Sequence, residues 1–130
     1  MQQEEFLARV RERGEYSDTK EAAMVTEAVL SVLASRLTPG EAADLASQLP
    51  DPMPEWMDLD PDRKAESYGV EEFRHRVADR VGARPHTTQW DASAVLTTLA
   101  DAVSGGEVNQ IISQLPSGYA ALFGKLDLSG

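Results

Sequence analysis

Apolar residues recur along most of the chain at spacings of three and four, the period of an amphipathic helix rather than of a strand. Phe6 and Val10 form one such pair near the start, and Phe73 and Val77 form another, extended by Val70 and Val81. Between and beyond them lie two longer stripes. Ala22, Val25, Val29, Val32 and Leu33 predict a helix from about Asp18 to Leu37, and Trp90, Ala94, Val95, Leu99 and Val103 predict one from about Thr88 to Val103. No run shows β-branched alternation and no hairpin dipeptide appears, so the expected fold is all-α.

The polar positions punctuate these stripes. Thr38-Pro39-Gly40-Glu41 and Ser104-Gly105-Gly106-Glu107 both read as capping boxes, in which hydroxyl and carboxylate satisfy the N–H groups left open at a helix start. Pro39 adds the fixed φ suited to the first helical position. The third helix of each set stops at Gln48-Leu49-Pro50 and at Gln114-Leu115-Pro116, because a residue before proline is pushed out of the α region. Gly14 and Gly82 stand where left-handed C-terminal caps are expected. After each proline an apolar pair follows, Trp56-Met57 and Leu122-Phe123, read as a short segment closing the end of a bundle.

These signals repeat. Shifted by 66, Ala28–Pro50 lies on Ala94–Pro116 with 11 of 23 positions identical, and a shift of 67 places Glu5, Phe6, Arg9, Val10 and Arg13 on Glu72, Phe73, Arg76, Val77 and Arg80. Caps, prolines and loop residues match along with the helices, which points to an internal duplication. The expected organisation is a single domain over 1–130, a helical bundle of two pseudo-symmetric three-helix repeats joined by short capped loops. Repeat one covers about 4–50, an acidic Pro/Asp-rich linker 51–69, repeat two about 70–116, and a short C-terminal helix and tail 117–130. Duplicated apolar positions should share one interior: Phe6, Val10, Val29, Leu33, Leu45, Leu49, Phe73, Val77, Val95, Leu99, Ile111 and Leu115.

The stretches EFLARV, RLTPGEAADLASQLP, EEFRHRVADRV and AVSGGEVNQIISQLP, with the doubled G-E…QLP motif, resemble the bacterial domain-of-unknown-function family numbered 2267. The likeness runs from about Glu4 to Phe123. It implies a small helical bacterial domain, found alone or beside other modules, and brings no catalytic residues with it. The Pro- and Asp-rich insert after the first QLP departs from the pattern.

Composition narrows the function. The 130 residues include no cysteine, which excludes disulfides, thiolate metal sites and cysteine nucleophiles. Twelve basic against 22 acidic residues give a net charge of −10, unsuited to nucleic acid, whose binding needs clustered Lys and Arg. The opening MQQEEFLARV lacks the basic start and apolar run of a signal peptide, and no apolar stretch is long enough for a membrane span. A cytoplasmic protein without membrane or nucleic-acid partners is expected.

Candidate chemistry is sparse. Asp58, Asp60 and Asp62 have the spacing of a calcium loop, but Arg63 replaces its glycine and Gly69 its bidentate glutamate, so a solvated linker is the expected reading. Glu72 and His75 form a Glu-x-x-His pair as in di-iron bundles, yet the matching positions are Glu5 and Ala8, and His86 falls in a loop. The serines lie in no G-x-S-x-G, and no nucleotide-binding glycine loop is present. No cofactor or metal is expected.

Two functional readings remain. One is a non-enzymatic protein-interaction domain that meets an unknown protein partner or another copy of itself through Arg9, Arg13, Arg76 and Arg80. Glu5 and Glu72 precede the first arginine of each pair by four residues, so a salt-bridged outer face is the plainer account of the same pattern. The other reading is a small apolar-ligand binder, holding its ligand between the repeats and lined by Met24, Trp56, Met57 and Trp90.

Overall fold

The computed structural model describes residues 1–82, 85–116 and 118–124, without the side chains of 85 and 86. Among the described residues the chain is all-α, with seven α-helices and no strand. They are α1 (Gln3–Gly14), α2 (Thr19–Arg36), α3 (Pro39–Ala46), α4 (Val70–Val81), α5 (Pro85–Ala102), α6 (Gly105–Ser113) and α7 (Tyr119–Leu122). A 3-10 turn, Met53–Trp56, follows α3. The long helices α2 and α5 pack against each other at the centre. Each of α1 and α4 lies against both of them, so α1 crosses onto α5 and α4 crosses onto α2.

The helix starts follow the caps read from the sequence. Thr38 and Ser104 accept hydrogen bonds from the N–H of Glu41 and Glu107, at 3.3 and 3.1 Å. The reciprocal carboxylate half appears in neither box among the described residues: Glu41 accepts from Gln110 at 3.1 Å, and the Ser104 N–H donates to Oε1 of Gln48 at 2.9 Å, tying α6 to the end of α3. Asp18 caps α2 in the same manner, accepting from the Glu21 N–H at 2.8 Å.

All 12 of the expected interior positions are buried, from Phe6 to Leu115. The short closing segments contribute more than their apolar pairs alone. Met53 and Tyr119 are fully buried beside Met57, Leu122 and Phe123, and the Tyr119 ring meets Phe73 edge-on at 5.2 Å. Trp90, placed in the apolar stripe of α5 by its spacing, is instead 53% exposed. Buried Thr88 and Ala92 occupy the inward positions around it, and its indole N–H reaches back to the Gly14 carbonyl at 3.0 Å.

Two other expectations are corrected. The left-handed residue ending α1 is Glu15, φ 56°, while Gly82, φ 74°, fills that role after α4. Gly14 serves another purpose: a side chain there would run into the Tyr16 ring. The linker is exposed over Asp58–Asp62, as expected, but its later part is anchored to α2. Arg63 donates to the Ala34 and Leu37 carbonyls at 2.7 and 3.0 Å, adding a second donor to Ala34, which also accepts the Leu37 N–H. The Glu66 N–H bonds the Ser35 carbonyl at 2.8 Å, and buried Arg36 donates to the Glu66 carbonyl.

Candidate functional site

The two arginine pairs lie on α1 and α4, one beside each long helix. On α1, Glu5 accepts from Arg9 at 2.7 Å, as the four-residue spacing anticipates. Asp101 of α5 then takes both guanidinium groups on one oxygen, Arg13 at 2.6 Å and Arg9 at 3.3 Å. Arg13 also donates to the hydroxyls of Thr97 and Thr98, at 3.3 and 3.2 Å. On α4, Arg76 bonds Glu72 and Glu66, each at 3.0 Å, and lies 4.1 Å from the centre of the Tyr68 ring. Its hydrogen bonds to Glu72 and then Glu66 raise its pKa further above an already basic value. Arg80 makes no ion pair with any described residue. Three of the four candidate partner-binding arginines are thus engaged within the chain.

The four candidate ligand-lining residues do not converge. Met57 is in the core, Trp56 is half-buried beside it, and Met24 and Trp90 are exposed. The last two each border a separate shallow groove. One, of about 250 Å³, is lined by Arg13, Trp90, Ser93, Ala94 and Thr97. The other, of about 260 Å³, is lined by Arg80, Met24, Glu27, Ala28 and Ser31. These linings correspond residue by residue, at an offset of 67 for the arginine and 66 for the rest. Each groove joins one guanidinium to one exposed large apolar side chain.

The differences between the grooves are chemical. Trp90 is held by Gly14 and Arg13 by Asp101 and two threonines, so that groove has fixed walls and no acidic lining residue. Its counterpart joins Met24 to Arg80, which has no ion pair among the described residues, and carries Glu27. A third groove, lined by Val32, Ser35, Glu66, Arg76, Asp79 and Arg80, continues from it along α2.

Several polar contacts have no signature in the sequence, because their partners are far apart in the chain. Tyr16 donates to Asp91 at 2.5 Å, joining the α1–α2 loop to the start of α5. Burial, then the hydrogen bond to Asp91, pushes the Tyr16 hydroxyl far above its usual range. Burial also raises the Asp91 carboxyl, against the opposing effect of Tyr16. Arg36 lies 5.4 and 5.9 Å from the ring centres of Tyr68 and Tyr119. Burial pushes the Tyr119 hydroxyl up to about 12 and raises that of Tyr68 as well.

The metal candidates are likewise occupied in other ways. Asp58 accepts from the Asp60 N–H at 3.1 Å, and Asp60 from the Asp62 N–H at 2.9 Å. Glu72 is bound to Arg76, His75 is exposed, and the His86 side chain lies outside the described residues. No group of three or more metal-ligating side chains gathers among the described residues. No described helix is long and apolar enough to cross a membrane.

An all-helical domain with shallow surface grooves is the class this structure defines. The chain belongs to the family described as "Uncharacterized conserved protein (DUF2267)", which matches residues 3–122. No curated protein matches it.

Proposed function

We propose that the protein is a non-enzymatic binding domain that engages a macromolecular partner through the paired grooves on its long helices. The observation that carries this reading is the correspondence of the two grooves, each combining a guanidinium with an exposed Met24 or Trp90. Arginine and tryptophan are enriched where protein surfaces meet, since both present large, orientable contact area. The same correspondence supports an internal duplication with pseudo-symmetric halves. The helices of the two halves have equal lengths at the first two positions, 12 and 18 residues, and nearly equal lengths at the third, 8 and 9.

The test is site-specific photo-crosslinking in cells. A crosslinking side chain at position 24 or 90 should capture a protein, while one at exposed Ser113 on α6 should not. Equal capture from all three positions, or from none, would remove the grooves from consideration.

A further inference from the structure

Resting on the reading of a partner-binding domain, we propose that the linker segment Arg63–Tyr68 is an autoinhibitory strap, occupying a site on α2 and α4 where an acidic segment of a partner protein docks in its place. No residue from Asp58 to Gly69 is buried, and only Arg63 and Tyr68 are half-buried. Polar contacts hold the strap instead. The Glu66 N–H bonds the Ser35 carbonyl at 2.8 Å, and the Glu66 carboxylate takes Arg76 at 3.0 Å. The Tyr68 hydroxyl meets the Ser35 hydroxyl at 2.7 Å and donates to the Val32 carbonyl at 3.2 Å. Water, or the same groups on another chain, can replace each of these.

What the strap covers is a cation that the fold leaves uncompensated. Arg36 is buried, yet no carboxylate pairs with it among the described residues. Its guanidinium meets the Glu66 carbonyl and the rings of Tyr68 and Tyr119, and its Nε has no hydrogen-bond partner. A buried charge without a counter-charge raises the free energy of the closed state. Glu66 and Tyr68 both belong to the strap, so lifting it returns Arg36 toward water. That gain offsets the hydrogen bonds lost, and opening costs far less than unfolding the helices beneath.

The uncovered surface suits carboxylates. Arg36 and Arg76 both lie against the Tyr68 ring, 5.4 and 4.1 Å from its centre. Arg76 and Arg80 line one groove of about 320 Å³ with Val32, Ser35, Glu66 and Asp79. With Glu66 withdrawn, Arg36 and Arg80 have no ion pair among the described residues, and Arg76 keeps Glu72 alone. Glu66 is thus the internal stand-in for a partner's carboxylate, and Ser35 offers the hydroxyl and carbonyl that the strap now uses. The α1–α5 seam has no equivalent site, because Asp101 of α5 itself takes both of its arginines.

Hydrogen exchange and peptide titration with the full chain test the proposal. In the wild type the Glu66 amide should exchange about a hundredfold faster than that of buried Leu33 on α2. Glu66→Gln, a change at an exposed position, should speed it further, and Tyr68→Phe should act in the same direction. A tetraglutamate peptide should bind Glu66→Gln about tenfold more tightly than wild type by calorimetry. That gain should vanish when Arg76→Gln and Arg80→Gln are added, and fade as salt rises. A Glu66 amide that exchanges no faster than Leu33 overturns the strap. Equal peptide affinity for wild type and Glu66→Gln, or a gain that ignores the arginine changes, overturns the site beneath it. Crosslinking from positions 24 and 90 reads the grooves without reference to the strap, so capture there alongside any of these results marks the failure of this proposal alone.

Discussion

The seam between α1 and α5 and the seam between α4 and α2 start from the same arginine spacing and end with different contacts. On the first, Asp101 of α5 gathers both Arg9 and Arg13. The position 66 residues earlier on α2 is Ser35, which has no charge to offer. Ser35 bonds the Tyr68 hydroxyl instead, at 2.7 Å, while the linker supplies Glu66 and the Tyr68 ring to Arg76. Arg80 is left without an ion pair among the described residues. One acidic side chain on a long helix thus decides whether an arginine pair closes its seam directly or depends on a segment from outside the helices.

The largest expected effect addresses what the two halves share. Leu33 and Leu99 occupy matching positions on α2 and α5, and both are fully buried. Truncation to alanine removes buried methyl groups and leaves a cavity, so each variant should lose about 2–5 kcal/mol. If the halves form one interior, both variants should still unfold in a single urea transition. Costs of a few tenths, or a biphasic melt in one variant, would break the equivalence.

The next effect concerns what the halves do not share. Arg63 is the linker's anchor on α2, and its side chain is only 11% exposed. Arg63→Ala leaves the Ala34 and Leu37 carbonyls without those donors and should cost about 1–3 kcal/mol. Amide exchange should quicken around Glu66, whose N–H bonds Ser35. Unchanged exchange there would mean that the linker holds its place without Arg63.

A smaller effect converts one seam toward the other. Asp101→Ser gives α5 the residue type α2 carries at Ser35. The ion pairs it removes are solvent-exposed, so the expected loss is about 0.5–1 kcal/mol, shrinking as salt is added. A loss above about 2 kcal/mol would show that Asp101 does more than pair with Arg9 and Arg13.

The sequence made the helices and their interior legible because caps, proline stops and apolar spacing act within a few residues of each other. Phe6 and Leu99 could be placed inside by period alone, and Thr38 and Ser104 by the helix starts they cap. The seams were harder to see. Glu5–Arg9 and Glu72–Arg76 follow from local spacing, but Arg13–Asp101 joins residues 88 apart and Tyr16–Asp91 residues 75 apart. Trp90 misled for a related reason, since apolar spacing reports a stripe but not which edge of it turns outward. The offset that aligns the halves contained one further signal. At 67, Gly82 matches Glu15 and not Gly14, and Glu15 is where the left-handed backbone falls.

The smallest expected effect lies at the paired starts of α3 and α6, where Glu41 and Glu107 occupy matching positions. Glu41 receives a hydrogen bond from the amide of Gln110, at 3.1 Å. The residue that matches Gln110 on α3 is Asp44, a carboxylate, so Glu107 meets a like charge where Glu41 meets a donor. One oxygen of each glutamate is shut off from solvent without a hydrogen-bond partner. Burial first, then the charges of Glu41 and Asp44, raise the Glu107 carboxyl above the usual carboxylate value. A raised folded-state pKa means that folding favours the protonated form. The stability Glu107 contributes is fully present below its unfolded pKa and is lost as pH rises through the higher folded value. At pH 7 the ionised side chain therefore opposes folding, and Glu107→Gln should raise the melting temperature there by about 1–3 °C. That gain should vanish once the pH falls below the carboxylate range, and Asp44→Asn should reproduce part of it at neutral pH. Thermal melts at both pH values check the sign. A gain that persists in acid, or a loss at neutral pH, would mean that Glu107 acts through its cap geometry and not through its charge.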